Sequence, residues 1–197
     1  MQQFTILNDG RLADSVVLKS IEGLKEDVPE LDEDAVECHM MLFRTYAAYF
    51  TAISERCEEL GLSHARFNML RWLHHAEGNR LTITELGAGL EASVPNVIRL
   101  VQALEADGWI RRQQSPSDKR VVYVELTEDG HSRFRALLPQ YIEMWEEVQS
   151  GLTTEEQVML SHVLSKLRMS LLSRYLGRDL VSYRIEARRR KKTKREQ

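Results

Sequence analysis

The chain has only two cysteines, Cys38 and Cys57, too few for the disulfide framework of a small secreted domain. It lacks an apolar run long enough to span a bilayer, and its first residues lack the basic-then-apolar order of a signal peptide. There is no phosphate-binding glycine loop, nucleophile elbow or metalloprotease helix motif, so catalysis would need scattered residues that no pattern gathers. No CxxC is present and no two histidines stand four apart. His74 and His75 are adjacent and point apart on a helix, so neither a metal nor another cofactor is expected. No internal repeat is visible.

What is present is a 197-residue chain, 43% hydrophobic, enough for a sizeable core. Its net charge of −3 is unevenly spread. Residues 1–37 hold ten acids and three bases, and residues 178–197 hold nine bases and three acids. The run Arg188 to Arg195 repels itself and is expected to be disordered when free, a tail suited to salt-sensitive phosphate contact or to solubility.

Thr82 to Thr127 is the most structured stretch of the pattern. Thr82 with Glu85 three residues on has capping-box spacing, and Ile83, Leu86 and Leu90 form a stripe behind it. A turn is expected at Glu91-Ala92, with Ser93 as N-cap of a second helix and Pro95 in its first turn. Val94, Val97, Leu100, Val101 and Leu104 share the face that should pack on the core. Asn96, Arg99 and Gln102 fall opposite, with Ile98 at the edge. Asn pairs with adenine and Arg with guanine, although such residues also make an ordinary solvated face. Gly108 ends the helix. Trp109–Gln114 and Val121–Thr127 then read as paired strands around a polar tip. From Trp109 to Val124 the bases are Arg111, Arg112, Lys119 and Arg120 against the lone acid Asp118. Asp118 is expected to hold the Arg120 guanidinium in a planar fork. Such a tip suits a narrow minor groove, or it simply keeps a sheet edge soluble.

This order of helix, turn, helix and basic wing resembles the MarR family of winged-helix transcriptional regulators. The resemblance rests on Leu81–Leu90, Ser93–Gly108, Asp118-x-Arg120 and Leu126-Thr127-x-x-Gly130, within a likeness covering residues 35–176. It implies a mainly α fold with a small β-wing: a winged helix-turn-helix lobe plus a helical dimerisation region. The expected organisation is an acidic arm at 1–30 with a short helix from Asp14, a MarR-like domain at 31–176, and a basic tail at 177–197. Within the domain, 63–127 form the winged helix, and 31–60 and 128–176 the dimerisation helices. Pro139 is expected to kink or break the long helix after Thr127, and Thr154 with Gln157 to cap the last one.

The resemblance further implies a cytoplasmic, nucleoid-associated homodimer that is not an enzyme and has no membrane partner. It would bind a pseudo-palindromic DNA operator, as a repressor released by a small aromatic or phenolic effector. The DNA-binding set is then Ser93, Asn96, Arg99, Gln102, Lys119 and Arg120, with Asp118 orienting Arg120. Candidates for the effector are His39, Arg44, Tyr46, Phe67, Arg71 and Trp72, of which the aromatics also fit a plain core. Two other readings remain: thiol-based redox sensing through Cys38 or Cys57, and a winged helix used only for protein contact.

Overall fold

In the computed structural model, residues 3–116 and 118–174 are described. The chain divides into two compact units, Met1–Val148 and Gln149–Gln197. The basic tail expected at 177–197 lies outside the described residues.

The first unit opens with a hairpin that the sequence pattern did not announce. β1 (Phe4–Ile6) pairs antiparallel with β2 (Leu12–Asp14), turning through Gly10 at φ 84°. Asp14 then caps α1 (Ser15–Asp27) by accepting the Val16 N–H at 2.8 Å. Helix α1 buries Val17 and Ile21 and packs on α2 (Glu33–Glu59), itself capped by Asp32. Arg44 of α2 closes on Asp14 with two nitrogens, at 3.0 and 2.9 Å. The arm is therefore pinned at its cap residue.

Helix α3 (His64–His75) supplies the centre of the core. Phe67 stacks on Tyr141 at 3.5 Å between centroids, and Phe134 and Trp145 close around it. Leu70, Leu73, Leu86, Val97, Val101, Leu104 and Val124 extend the same cluster. After a 3-10 turn at Glu77–Asn79 come β3 (Arg80–Thr82), α4 (Ile83–Leu90), α5 (Val94–Ala106), β4 (Ile110–Gln114) and β5 (Val122–Leu126). The sheet order is β3-β5-β4, all antiparallel. Strand β3 was not foreseen: three residues are too short to show a period of two.

Helix α6 (Glu128–Val148) continues through Pro139 as one element. Pro139 is exposed, while Phe134, Tyr141 and Met144 on either side of it are buried. Burying three large side chains outweighs the roughly 3 kcal/mol that an interior proline costs.

In the second unit, α7 (Thr154–Arg174) is capped one residue earlier than expected. Thr153 Oγ1 accepts the Glu156 N–H at 3.3 Å, and the Glu156 carboxylate accepts the Thr153 N–H at 2.8 Å. Gln157 instead donates to the Gln149 carbonyl at 3.3 Å. The carboxylate of Glu156 is the stronger acceptor for a cap N–H, which moves the box by one position. Among the described residues no helix is long and apolar enough to cross a membrane.

Candidate nucleic-acid interface

Helix α4 begins as its spacing predicts. Thr82 Oγ1 accepts the Glu85 N–H at 3.2 Å, and Glu85 returns the bond to Thr82 N–H at 2.8 Å. The turn after it passes through Glu91, a non-glycine residue at φ 52°. Two close contacts set the helix in place. A Cβ on Gly87 would sit 3.3 Å from the Ala92 carbonyl, and one on Gly89 would lie 3.0 Å from the Trp72 ring.

Helix α5 buries Val97, Val101 and Leu104 and half-buries Leu100. Val94 departs from the expected face and stays 50% exposed, because residues 93–96 all stand outside the core as the first turn begins. Ser93 occupies the N-cap position, but its hydroxyl makes no capping bond. Asn96, Arg99 and Gln102 are all exposed, and the Arg99 guanidinium donates to the Asn96 side-chain oxygen. The helix thus presents an uninterrupted polar face, with Pro95 and Ile98 beside it.

The wing differs in detail from its sequence pattern. Arg111 pairs with Glu125 at 2.6 Å, and Arg112 with Glu105 at 2.5 Å. The Arg112 guanidinium holds the Glu105 carboxyl below its ordinary range. Both acids lie just outside the Trp109–Val124 window, so local charge counting missed them. The hairpin register would have found one, since Arg111 stands directly opposite Glu125. Two of the four wing bases are thus neutralised. Lys119 and Arg120, both exposed at the tip, form no ion pair among the described residues.

Asp118 also acts differently from expectation. Its carboxylate accepts the main-chain N–H of Arg120 at 2.9 Å, rather than the guanidinium. Its carbonyl takes the Val121 N–H at 3.0 Å, and Ser115 N–H reaches the Val121 carbonyl at 2.9 Å. An aspartate two residues before its partner easily forms this local side-chain turn, which competes with a fork to the longer side chain. Asp118 therefore shapes the backbone that carries Arg120.

The Leu126-Thr127-x-x-Gly130 string has a structural reason. Thr127 Oγ1 donates to the Gly108 carbonyl at 2.7 Å and accepts the Gly130 N–H at 2.9 Å. A Cβ on Gly130 would meet the Trp109 carbonyl at 2.0 Å. The Arg133 guanidinium lies 3.7 Å from the Trp109 ring centroid. The base of the wing is thereby clamped to the start of α6.

The six effector candidates are not brought together. Phe67 is fully buried in the core, and Arg44 is engaged by Asp14. His39 and Tyr46 are exposed on α2, His39 tilted against Phe43 and Tyr46 stacked on Phe50, each at 5.9 Å between ring centroids. Arg71 and Trp72 are neighbours on α3, the guanidinium 5.9 Å from the ring. Sequence reading missed His64, whose ring meets Phe50 edge-on at 6.1 Å and Asn68 at 2.9 Å. Its Nδ1 is buried without a partner among the described residues, and burial and then Arg71 push its pKa down. Of the two thiols, Cys57 is buried and pushed up by that burial, whereas Cys38 is exposed.

The MarR family profile matches residues 62–122, from the start of α3 to the beginning of β5. The uncharacterised HTH-type transcriptional regulator YkoM of Bacillus subtilis is 31% identical over 139 residues, 68% of this chain and 89% of that protein. The transcriptional repressor MprA of Escherichia coli is 33% identical over 107 residues, 54% of this chain. That match spans 61% of MprA's own length. Among solved structures, Sco3205, a MarR-family regulator of Streptomyces coelicolor in complex with DNA, is 26% identical with a TM-score of 0.63, covering 70% of this chain and 88% of that one. AbsC from the same organism, with a TM-score of 0.65 over 72% of this chain and 97% of its own, is 20% identical and speaks to the fold alone.

Proposed function

This chain belongs to the MarR family, and on that footing we propose that it is a homodimeric, sequence-specific DNA-binding regulator, a repressor released by a small aromatic effector. The observation that carries the reading is the pairing of two probes on one clamped lobe. The polar face of α5, with Asn96, Arg99 and Gln102, suits the major groove, with Ser93 at its phosphate edge. The tip with Lys119 and Arg120 suits the adjacent minor groove or backbone. In this reading residues 63–127 read DNA, 31–60 and 128–176 dimerise, and the arm at 1–30 braces α2.

Two uncovered apolar faces favour a dimer. Leu42, Phe43, Tyr46, Tyr49 and Phe50 of α2 are exposed, as are Val158, Met159, Leu160, Val163, Leu164, Met169 and Leu171 of α7. Extensive exposed apolar surface marks an interface. A two-fold dimer reads half-sites about 34–36 Å apart. An effector at the α2–α3 seam, with Tyr46 on one helix and Arg71 on the other, would act by favouring a spacing of the two α5 helices that cannot span both half-sites. The repressor assignment draws on the similarity to MprA, a transcriptional repressor.

The test is a gel-shift titration on the DNA upstream of its own gene, against scrambled DNA, with rising salt. Binding of two chains to the upstream DNA alone supports the reading. Equal binding to both, collapsing with salt, refutes sequence-specific regulation at that site.

A further inference from the structure

One contact ties the two probes directly to each other. Glu105 stands in the last turn of α5, and Arg112 is the third residue of β4. Glu105 Oε2 meets the Arg112 guanidinium at 2.5 Å, while Oε1 accepts the main-chain N–H of Arg112 at 3.2 Å. One carboxylate thus holds both the side chain and the backbone of the wing strand.

The register explains why that backbone needs a partner. β4 is an edge strand in the order β3-β5-β4. Thr127 N–H bonds the Trp109 carbonyl, and Ser115 N–H bonds the Val121 carbonyl. Hydrogen-bonded pairs alternate along an antiparallel ladder, so the odd positions of β4 face β5 and the N–H of Arg112 points to the open edge. Glu105 fills that edge position. The base of the wing is already clamped at Trp109 by Thr127 and Gly130. Arg112 lies about 10 Å further along the strand. Two fixed points on one strand set its direction relative to α5.

Resting on the DNA-reading function above, we propose that Glu105 is a positioning residue for DNA recognition, latching the wing to the reading helix through Arg112. The latch fixes the angle at which Lys119 and Arg120 meet the minor groove while α5 occupies the major groove. It also assigns Arg112 a partner within the protein, so that Arg112 orients the wing instead of neutralising a phosphate. A wing freed from Glu105 would sweep a range of angles, and its tip would lose its fixed relation to the bases that α5 reads.

The experiment uses the full chain as wild type, Glu105→Gln, Arg112→Gln, the double Glu105→Gln/Arg112→Gln, and the charge swap Glu105→Arg/Arg112→Glu. Thermal midpoints check folding. The probes are a duplex that the wild type enriches from a random library and a scrambled duplex of the same composition. Hydroxyl-radical cleavage reads the minor groove, and methylation of guanine N7 reads the major groove. Each single variant is expected to keep N7 protection, lose minor-groove protection at the wing, and weaken on the enriched duplex by roughly three- to tenfold. The double variant should be no worse than either single one, and the swap, which restores the ion pair but offers no acceptor to the main-chain N–H of residue 112, should recover part of the minor-groove protection.

The latch is overturned if Arg112→Gln lowers the salt dependence of binding while Glu105→Gln does not, because Arg112 would then be a phosphate contact. Additive losses in the double variant overturn it as well, and this arm stands even if the swap does not fold. A wild type that enriches no sequence is a different failure: it removes the DNA-reading function on which the latch rests.

Discussion

The carboxylate of Asp118 accepts the main-chain N–H of Arg120 at 2.9 Å and leaves the guanidinium exposed. The pair is therefore a turn with a cation on it, not an ion pair. Arg120→Ala should weaken DNA binding on specific and scrambled duplexes alike, lowering the log–log salt slope by about one. Asp118→Asn keeps an acceptor at the same place and should bind nearly as well as wild type, whereas Asp118→Ala should not. Fluorescence anisotropy across a salt series decides. Equal damage from Asn and Ala would mean that the charge of Asp118, not its geometry, matters.

The contact beneath Gly130 gives a stability prediction. With a Cβ placed 2.0 Å from the Trp109 carbonyl, Gly130→Ala must push α6 off the wing base. A loss of about 3 kcal/mol is expected, in the range of severe backbone conflicts. Gly23→Ala, on the exposed face of α1 with nothing within 4 Å, should instead gain about 0.5–1 kcal/mol from helix propensity. Urea unfolding of both variants checks this. A tolerated Gly130→Ala would contradict the clamp.

His74 gives a pH prediction. Burial lowers its pKa from the ordinary 6.5, helped by His131, His75 and Arg135 nearby. Its ring lies 4.7 Å from that of His131, with Nδ1 buried and unpartnered among the described residues. The unfolded chain therefore binds protons more readily than the folded one. Stability should be full above pH 6.5 and fall as pH drops below it. The lowered carboxyls of Asp14 and Glu105 act separately, at pH below their ordinary 3.8 and 4.5. His74→Gln should lessen the fall of the thermal midpoint between about pH 5 and 7, the remainder coming from His64, whose pKa burial also lowers. An unchanged slope would clear His74 of the effect.

The two thiols should separate chemically. Exposed Cys38 should react with an alkylating reagent in the native protein, while Cys57, buried beside Tyr141, should react only on unfolding. Mass spectrometry of peptides after a short pulse reads both sites. Early labelling of Cys57 would reopen it as a redox sensor.

Much of the reading lobe was legible because its signals are local. Thr82 and Glu85, Gly108 and the Thr127–Gly130 spacing each act within one turn of chain, while Ser93 takes the N-cap position without making the capping bond. Arg111 and Arg112 misled because their partners Glu125 and Glu105 are 14 and 7 residues away, and charge counted in a window cannot see across a hairpin. Arg44 misled for the same reason, with Asp14 standing 30 residues before it. Phe67 shows the other limit: aromatic spacing on a helix does not say which neighbour fills the facing space, and here that neighbour is Tyr141.

The sheet order has a consequence for exchange between proteins. β5 is the central strand, paired on one side with β4 and on the other with β3, whose last residue Thr82 caps α4. The return strand of the wing is therefore sewn to the entrance of the helix-turn-helix. A designer wishing to transplant operator preference cannot move α5 by itself, nor the wing by itself, without leaving half of a three-stranded sheet unmatched. On the DNA-reading function proposed above, residues 80–130 would transfer as one unit, and chimeras cut at those seams should retain a folded reading head.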